Sequence, residues 1–194
     1  MNRYHVMLVI FSVVLIWSGI GPKDTFTWWL EVLPALIGVL VLLTTRKRLY
    51  FSDFAYWVML VHAIVLIVGG HYTYAEVPLF DWLREPMGWS RNNYDKVGHF
   101  MQGFSPAIIA WEVLSQKRVV NGRAWQVVFT ISVCLAISAL SELIEWLAAA
   151  LSQEAAESFL GTQGFAWDTQ SALLWCFIGA LPRGVVLQLR GRLV

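Results

Sequence analysis

His99 and the carboxylates Asp95, Glu142, Glu145 and Asp168 are the side chains of this 194-residue chain whose types and spacing suit proton transfer or metal binding. Each lies within or beside a long apolar run, where an ionisable group is costly and marks a functional position by default. Asp95, His99, Gln102 and Pro106 follow at i, i+4, i+7 and i+11, so they share one face of a helix. Ser138, Glu142 and Glu145 fall on one stripe of another helix, with Ser141 flanking it. Two carboxylates one turn apart in a low dielectric do not both ionise without compensation. Either one stays protonated as a general acid, or both bind a divalent metal, or they pair with Lys96 and tie helices together. Asp168 opens a further apolar run, where its carboxylate suits a helix N-cap as well as a site. His71, Lys96, Gln102 and Gln170 stand as supporting residues. As metal ligands, His99, Glu142, Glu145 and Asp168 offer nitrogen and oxygen donors suited to Zn, Mn or Fe. The chain has neither an HExxH motif nor a P-loop.

The elements that position these groups are membrane spans. The chain is 58% hydrophobic and 14% charged, with a mean hydropathy of +0.60; an ordinary soluble domain carries roughly 25% charged residues. A net charge of +1 excludes nucleic acid as a partner, since that needs a concentrated basic face. Membrane lipids are the expected surroundings. The apolar runs predict an all-α, polytopic transmembrane bundle forming one integral membrane domain over residues 1–194. Its spans fall at about 5–20, 27–44, 54–70, 97–114, 125–151 and 167–187, with a long outer loop at 71–96. The first is a retained span rather than a cleaved signal peptide, because Ser18-Gly19-Ile20-Gly21 is a poor cleavage site. The last is interrupted by Pro182-Arg183.

Basic residues orient the bundle, because cytoplasmic loops retain them preferentially. With the N-terminus inside, ten lie on the inner side: Arg3, Arg46, Lys47, Arg48, Lys117, Arg118, Arg123, Arg183, Arg190 and Arg192. Four lie outside: Lys23, Arg84, Arg91 and Lys96. N-in and C-in with six spans is the expectation, and it places every residue of the candidate set at the outer face. The 71–96 loop, with Tyr72, Tyr74, Phe80, Trp82 and Trp89, reads either as an interfacially anchored connector or as a lid. The second outer loop, 152–166, contains Glu154, Glu157 and a turn signal at 161–164. Glu31 and His62 lie apart from the cluster in sequence and join it only if the bundle turns them inward. Glu112 is expected to make pairs at the inner interface. Cys134 and Cys176 read as two small buried thiols rather than a disulfide. Gly98 and Gly103 allow another helix or a substrate to approach closely.

Tyr94-Asp95-Lys96-Val97-Gly98-His99-Phe100, Ser141-Glu142-Leu143-Ile144-Glu145-Trp146 and Trp167-Asp168-Thr169-Gln170 together resemble the YjdF-like family of uncharacterised bacterial inner-membrane proteins, over most of the chain. The resemblance implies a multi-pass protein of the bacterial inner (cytoplasmic) membrane. The order of motifs is also similar, more distantly, to VanZ-like membrane proteins, with Gly179-Ala180 in their small-residue position, and that likeness implies a link to the cell envelope or glycopeptide response. This chain departs from the YjdF-like pattern at Ala172, where a second Asp commonly stands four residues after the one matching Asp168. The stretch from Leu181-Pro182-Arg183-Gly184 onward departs too.

Three functions compete. The first is a membrane enzyme or factor that processes an envelope lipid or glycan at an outward-facing His/carboxylate site, with or without a divalent metal. The second is a transporter, flippase or proton-coupled carrier, although the clustering of charge at one face, and not at the midplane, speaks against it. The third is a structural or regulatory subunit whose polar residues lock helices together.

Overall fold

The computed structural model describes residues 3–151 and 165–190, with side chains described as far as residue 181. Glu154, Glu157, the 161–164 turn and Arg192 lie outside these limits. Seven helices and no strand occur among the described residues: α1 Arg3–Ser18, α2 Thr25–Thr45, α3 Asp53–His71, the short α4 Pro78–Arg84, α5 Tyr94–Lys117, α6 Arg123–Leu151 and α7 Asp168–Arg190. α2, α3 and α6 are long and apolar enough to cross a membrane, and α1 is a shorter apolar helix. α7 continues past Pro182, where the sequence predicts an interruption.

Local chemistry sets the helix ends. The Asp24 carboxylate accepts the Thr27 amide at 2.6 Å and starts α2, and the Ser52 hydroxyl accepts the Ala55 amide at 3.2 Å and starts α3. Arg118, in the left-handed region at φ 49°, closes α5, with the next amide returned to the Leu114 carbonyl.

The long helices pack as two trios joined along α3 and α5. Met7, Phe11, Val32, Ala35, Leu60 and Ile67 form the core of α1, α2 and α3. Ala55, Val58, Met101 and Ile108 join α3 to α5. Ala107, Cys134, Cys176 and Ala180 fill the second trio, α5, α6 and α7. Both cysteines are free and buried. Along α5 and α7 the backbones themselves touch. A Cβ built on Gly103 would stand 1.9 Å from the Cys176 carbonyl oxygen, and one on Gly179 would stand 2.1 Å from the Phe100 carbonyl oxygen. Large apolar side chains such as Val13, Leu40, Leu140 and Leu143 face outward, the reverse of a soluble bundle.

The two ends of the bundle differ. At one end Arg3 pairs with Asp53, and Glu112 accepts hydrogen bonds from the Ser52 amide at 2.9 Å and hydroxyl at 2.6 Å. Glu112 thus ties α5 to the start of α3. The other end gathers the C-termini of α1, α3 and α6, the N-termini of α2, α5 and α7, and the long loop. That end holds the candidate site.

Candidate functional site

α5 supplies the centre of the cluster. Its first turns turn Asp95, His99 and Gln102 toward α6 and α7, as their spacing predicts. A chain of hydrogen bonds then orients the imidazole. The Ser141 hydroxyl donates to the Ser138 carbonyl at 2.8 Å, and so accepts from Gln102 Nε2 at 2.9 Å. That fixes the amide of Gln102 with Oε1 toward His99 Nδ1, 3.3 Å away. A carbonyl oxygen only accepts, so Nδ1 carries the proton and Nε2 is the nitrogen left to exchange one. Nε2 faces Glu142 Oε1 at 3.8 Å, with both side chains largely buried.

Arg91 organises the second part of the site. Its Nη2 donates to Asp95 Oδ2 at 2.7 Å and to Asp168 Oδ1 at 3.3 Å, and the guanidinium lies 4.9 Å from the Phe165 ring centre. Asp168 is the first residue of α7, and its carboxylate is held by this bridge. One cation therefore joins the loop, α5 and α7. The other oxygen of Asp95 is buried with no hydrogen-bond partner among the described residues. Thr169, next to Asp168, places its side chain against Glu142.

The third part comes from a helix that sequence spacing leaves out. Glu31 of α2 stands close enough to Glu142 and Glu145 for their charges to interact, and it pairs with the hydroxyl of Tyr74. Tyr74 belongs to the loop just after α3. Its ring sits between two glycines: a Cβ on Gly69 would be 2.3 Å from the ring, and one on Gly98 would be 2.7 Å from it. Thr73 and Tyr74 both have φ 56°, a left-handed conformation costing roughly 1–2 kcal/mol per non-glycine residue. Burial, with the Glu31 carboxyl beside it, holds the Tyr74 phenol well above the usual tyrosine range, so its hydroxyl is a donor at neutral pH.

The predicted residues are thus placed unequally. Asp95, His99, Gln102, Glu142, Glu145 and Asp168 converge. His71 does not: its Nδ1 donates to the Ser18 carbonyl at 2.8 Å and its ring packs on Trp17, which pins α3 to α1. Lys96 makes no ion pair among the described residues; the cation that meets Asp95 and Asp168 is Arg91, and the His99 imidazole faces Glu142. Gln170 is exposed, and Ala172 is buried one turn below Asp168. His62 stays apart, its Nε2 buried without a partner among the described residues. Glu31, which the sequence left conditional on the packing, joins the site, and Tyr74, Arg91 and Thr169 enter it from the structure alone. For Arg91 and Tyr74 the one sequence signal was their place in the long aromatic-rich loop, which the sequence left open as connector or lid.

That loop packs back onto the site end. Asn92 Nδ2 donates to the Val77 carbonyl at 3.0 Å and to Asp81 at 3.1 Å. Phe80 stacks on Trp89 and meets Tyr94 edge-on, and Tyr94 lies 5.6 Å from Tyr74 between ring centres. Leu79, Trp82 and Met87 remain exposed on it.

Among the described residues no three His, Cys, Asp or Glu side chains stand close enough together to hold a metal ion. The His99–Glu142 separation of 3.8 Å suits proton exchange through a small shift or a bridging hydroxyl.

Residues 3–192 match the family described as Predicted membrane protein (DUF2238). The chain belongs to that family. The DUF2238 match spans all seven helices and every residue of the cluster. The chain is also similar to the inner membrane protein YjdF of Escherichia coli (strain K12), at 46% identity over 176 residues, which covers 91% of this chain and 84% of that protein. No solved structure matches.

Proposed function

We propose that this protein is a six-span protein of the bacterial inner membrane, with both ends of the chain cytoplasmic. On this reading its outward-facing His99–Glu142 pair carries out acid–base chemistry on an envelope lipid or glycan. Arg3, Arg46, Lys47, Arg48, Lys117, Arg118 and Arg123, at the helix ends opposite the site, support the orientation, and the relative named an inner membrane protein supports the location. α1, at 16 residues, rises about 24 Å and spans with its flanking residues.

The single observation that carries the chemistry is the oriented imidazole. His99 Nδ1 is committed to Gln102, and Nε2 faces a carboxyl group. A substrate hydroxyl or amine seated between them gives its proton to Nε2, and Glu142 stabilises the imidazolium that forms. The surrounding carboxyl groups select the substrate. Glu31, Asp95, Glu142, Glu145 and Asp168 outnumber the cations, and Arg91 is already shared by two of them. A phosphate placed here meets more carboxyl groups than cations, a poor match to an anion that is recognised by arginine or lysine. Sugar hydroxyls and amines donate to the same carboxylates. The reacting part is therefore a glycan or amine-bearing headgroup.

Reconstitution with a total envelope-lipid extract tests this. Mass spectrometry is expected to show one lipid or lipid-linked glycan class changing mass with wild type. Glu142→Gln and His99→Ala should lose the change by about 10²-fold or more, at unaltered thermal midpoints. No mass change in any class under these conditions removes the enzymatic reading. Glu31, which carries carboxylates across both helix trios, favours a proton-coupled carrier as the second reading. Solute uptake into proteoliposomes that depends on Glu31 would then support it.

A further inference from the structure

Tyr74 is placed at a cost that simple connection of α3 to α4 does not require. Two consecutive non-glycine residues, one of them β-branched, adopt the left-handed backbone. The Tyr74 amide is fixed to the Gly69 carbonyl at 2.8 Å, and the Glu76 amide to the Tyr72 carbonyl at 3.1 Å. α3 and α5 each present a glycine where the ring enters, and any larger residue at either position would collide with it. The hydroxyl then reaches Glu31, a residue of a third helix. Behind Tyr74, ring contacts run through Tyr94 and Phe80 to Trp89, so the inserted ring is continuous with the folded loop.

We propose that Tyr74 is the removable stopper and positioning residue of the site. With its ring in the Gly69–Gly98 slot it holds the Glu31 carboxyl and closes the seam between α3 and α5 on the loop side. With the 72–77 segment withdrawn, that seam admits solutes from the loop face to Glu31 and Glu145. The strained backbone favours withdrawal, and the glycine slot and the Glu31 pair favour insertion, which is the balance a movable element needs. This inference rests on the cluster being a site, yet its test reads access and not turnover.

The test is carboxyl labelling of the full chain in lipid nanodiscs, using a water-soluble carbodiimide with glycine ethyl ester and peptide mass spectrometry. Tyr74→Ala, Gly69→Ala and Gly98→Ala are each expected to raise labelling of Glu31 and Glu145 by roughly tenfold, as the open form becomes the main one. Tyr74→Phe, which still fills the slot but loses the Glu31 pair, should give a rise smaller than that of Tyr74→Ala, and Gly38→Ala, which meets no neighbour within 4 Å, should label as wild type does. Wild-type labelling rates in a folded Tyr74→Ala protein overturn the proposal, and so does an equal rise in Gly38→Ala. If Tyr74→Ala does not fold, hydrogen exchange on wild type decides. The Tyr74 and Glu76 amides are expected to exchange by local opening, well before the adjoining turns of α3 and α5. Exchange of those amides only through global unfolding means the stopper does not move. Absence of any lipid product with labelling as expected removes the acid–base reading and leaves the stopper standing.

Discussion

Gly103→Ala and Gly179→Ala are each expected to lower the thermal midpoint of the detergent-solubilised protein by roughly 6–12 °C. The added methyl would arrive 1.9 Å and 2.1 Å from carbonyl oxygens of the facing helix. Neither oxygen can step aside as a flexible side chain would, so α5 and α7 must separate along their seam. Overpacking a core costs about 1–3 kcal/mol, and a rigid backbone contact belongs at the top of that range. Each kcal/mol moves the midpoint by about 2–4 °C in a chain of this size. The separation would also move His99 and Asp168, which ride on the same two helices, so activity should fall with stability. Gly38→Ala is the control: its methyl meets nothing within 4 Å, and the better helix former should be neutral or stabilising by about 0.5–1 kcal/mol. Equal midpoints for all three variants in a thermal melt would mean that α5 and α7 do not pack backbone to backbone.

Arg91→Gln is expected to cost about 3–5 kcal/mol, the usual result of leaving a buried charge without its partner. The Asp95 side chain is 8% exposed, and one of its oxygens already lacks a hydrogen-bond partner among the described residues. Removing the guanidinium leaves that carboxylate close to Asp168, with the N-terminus of α7 no longer tied to α5. Asp95→Asn in the Arg91→Gln background should restore part of the loss, because the charge that needed compensation is gone. Arg91→Lys should recover less than the original arginine, since one ammonium does not reproduce the fork that reaches two carboxylates. A double-mutant cycle in thermal unfolding checks both statements. Additive effects of Arg91→Gln and Asp95→Asn would show that the bridge contributes nothing to stability.

Much of the site was legible because it follows helical period. His99 and Gln102 lie one turn apart, as do Glu142 and Glu145, and period alone puts each set on a single face. The polarity of their surroundings was legible too, since a carboxylate amid Leu143, Ile144 and Trp146 has few uses other than a site or a tie. Gly103 was readable as a place of close approach, though not that α7 fills it while a tyrosine fills the place beside Gly98. His71, expected as a supporting residue, is a clasp between α1 and α3. Its imidazole found a backbone carbonyl first, a local outcome of helix ends that spacing does not encode. Glu31 and His62 had the same conditional standing in the sequence, and only the packing of α2 against the site end brings Glu31 in while His62 stays apart.

The sequence by itself determined the helical class, the long apolar helices, the membrane setting and the two helical faces that carry His99 and Glu142. Hydropathy and helical period act within a segment, so a single chain displays them without any partner. Only the tertiary structure decided that Arg91 bridges Asp95 and Asp168, that α2 contributes an acid, and that Tyr74 enters between α3 and α5. Those outcomes depend on the backbone separation at Gly69, Gly98, Gly103 and Gly179 and on a left-handed turn at Thr73 and Tyr74. Packing between distant segments sets both, and no local pattern in the chain announces them.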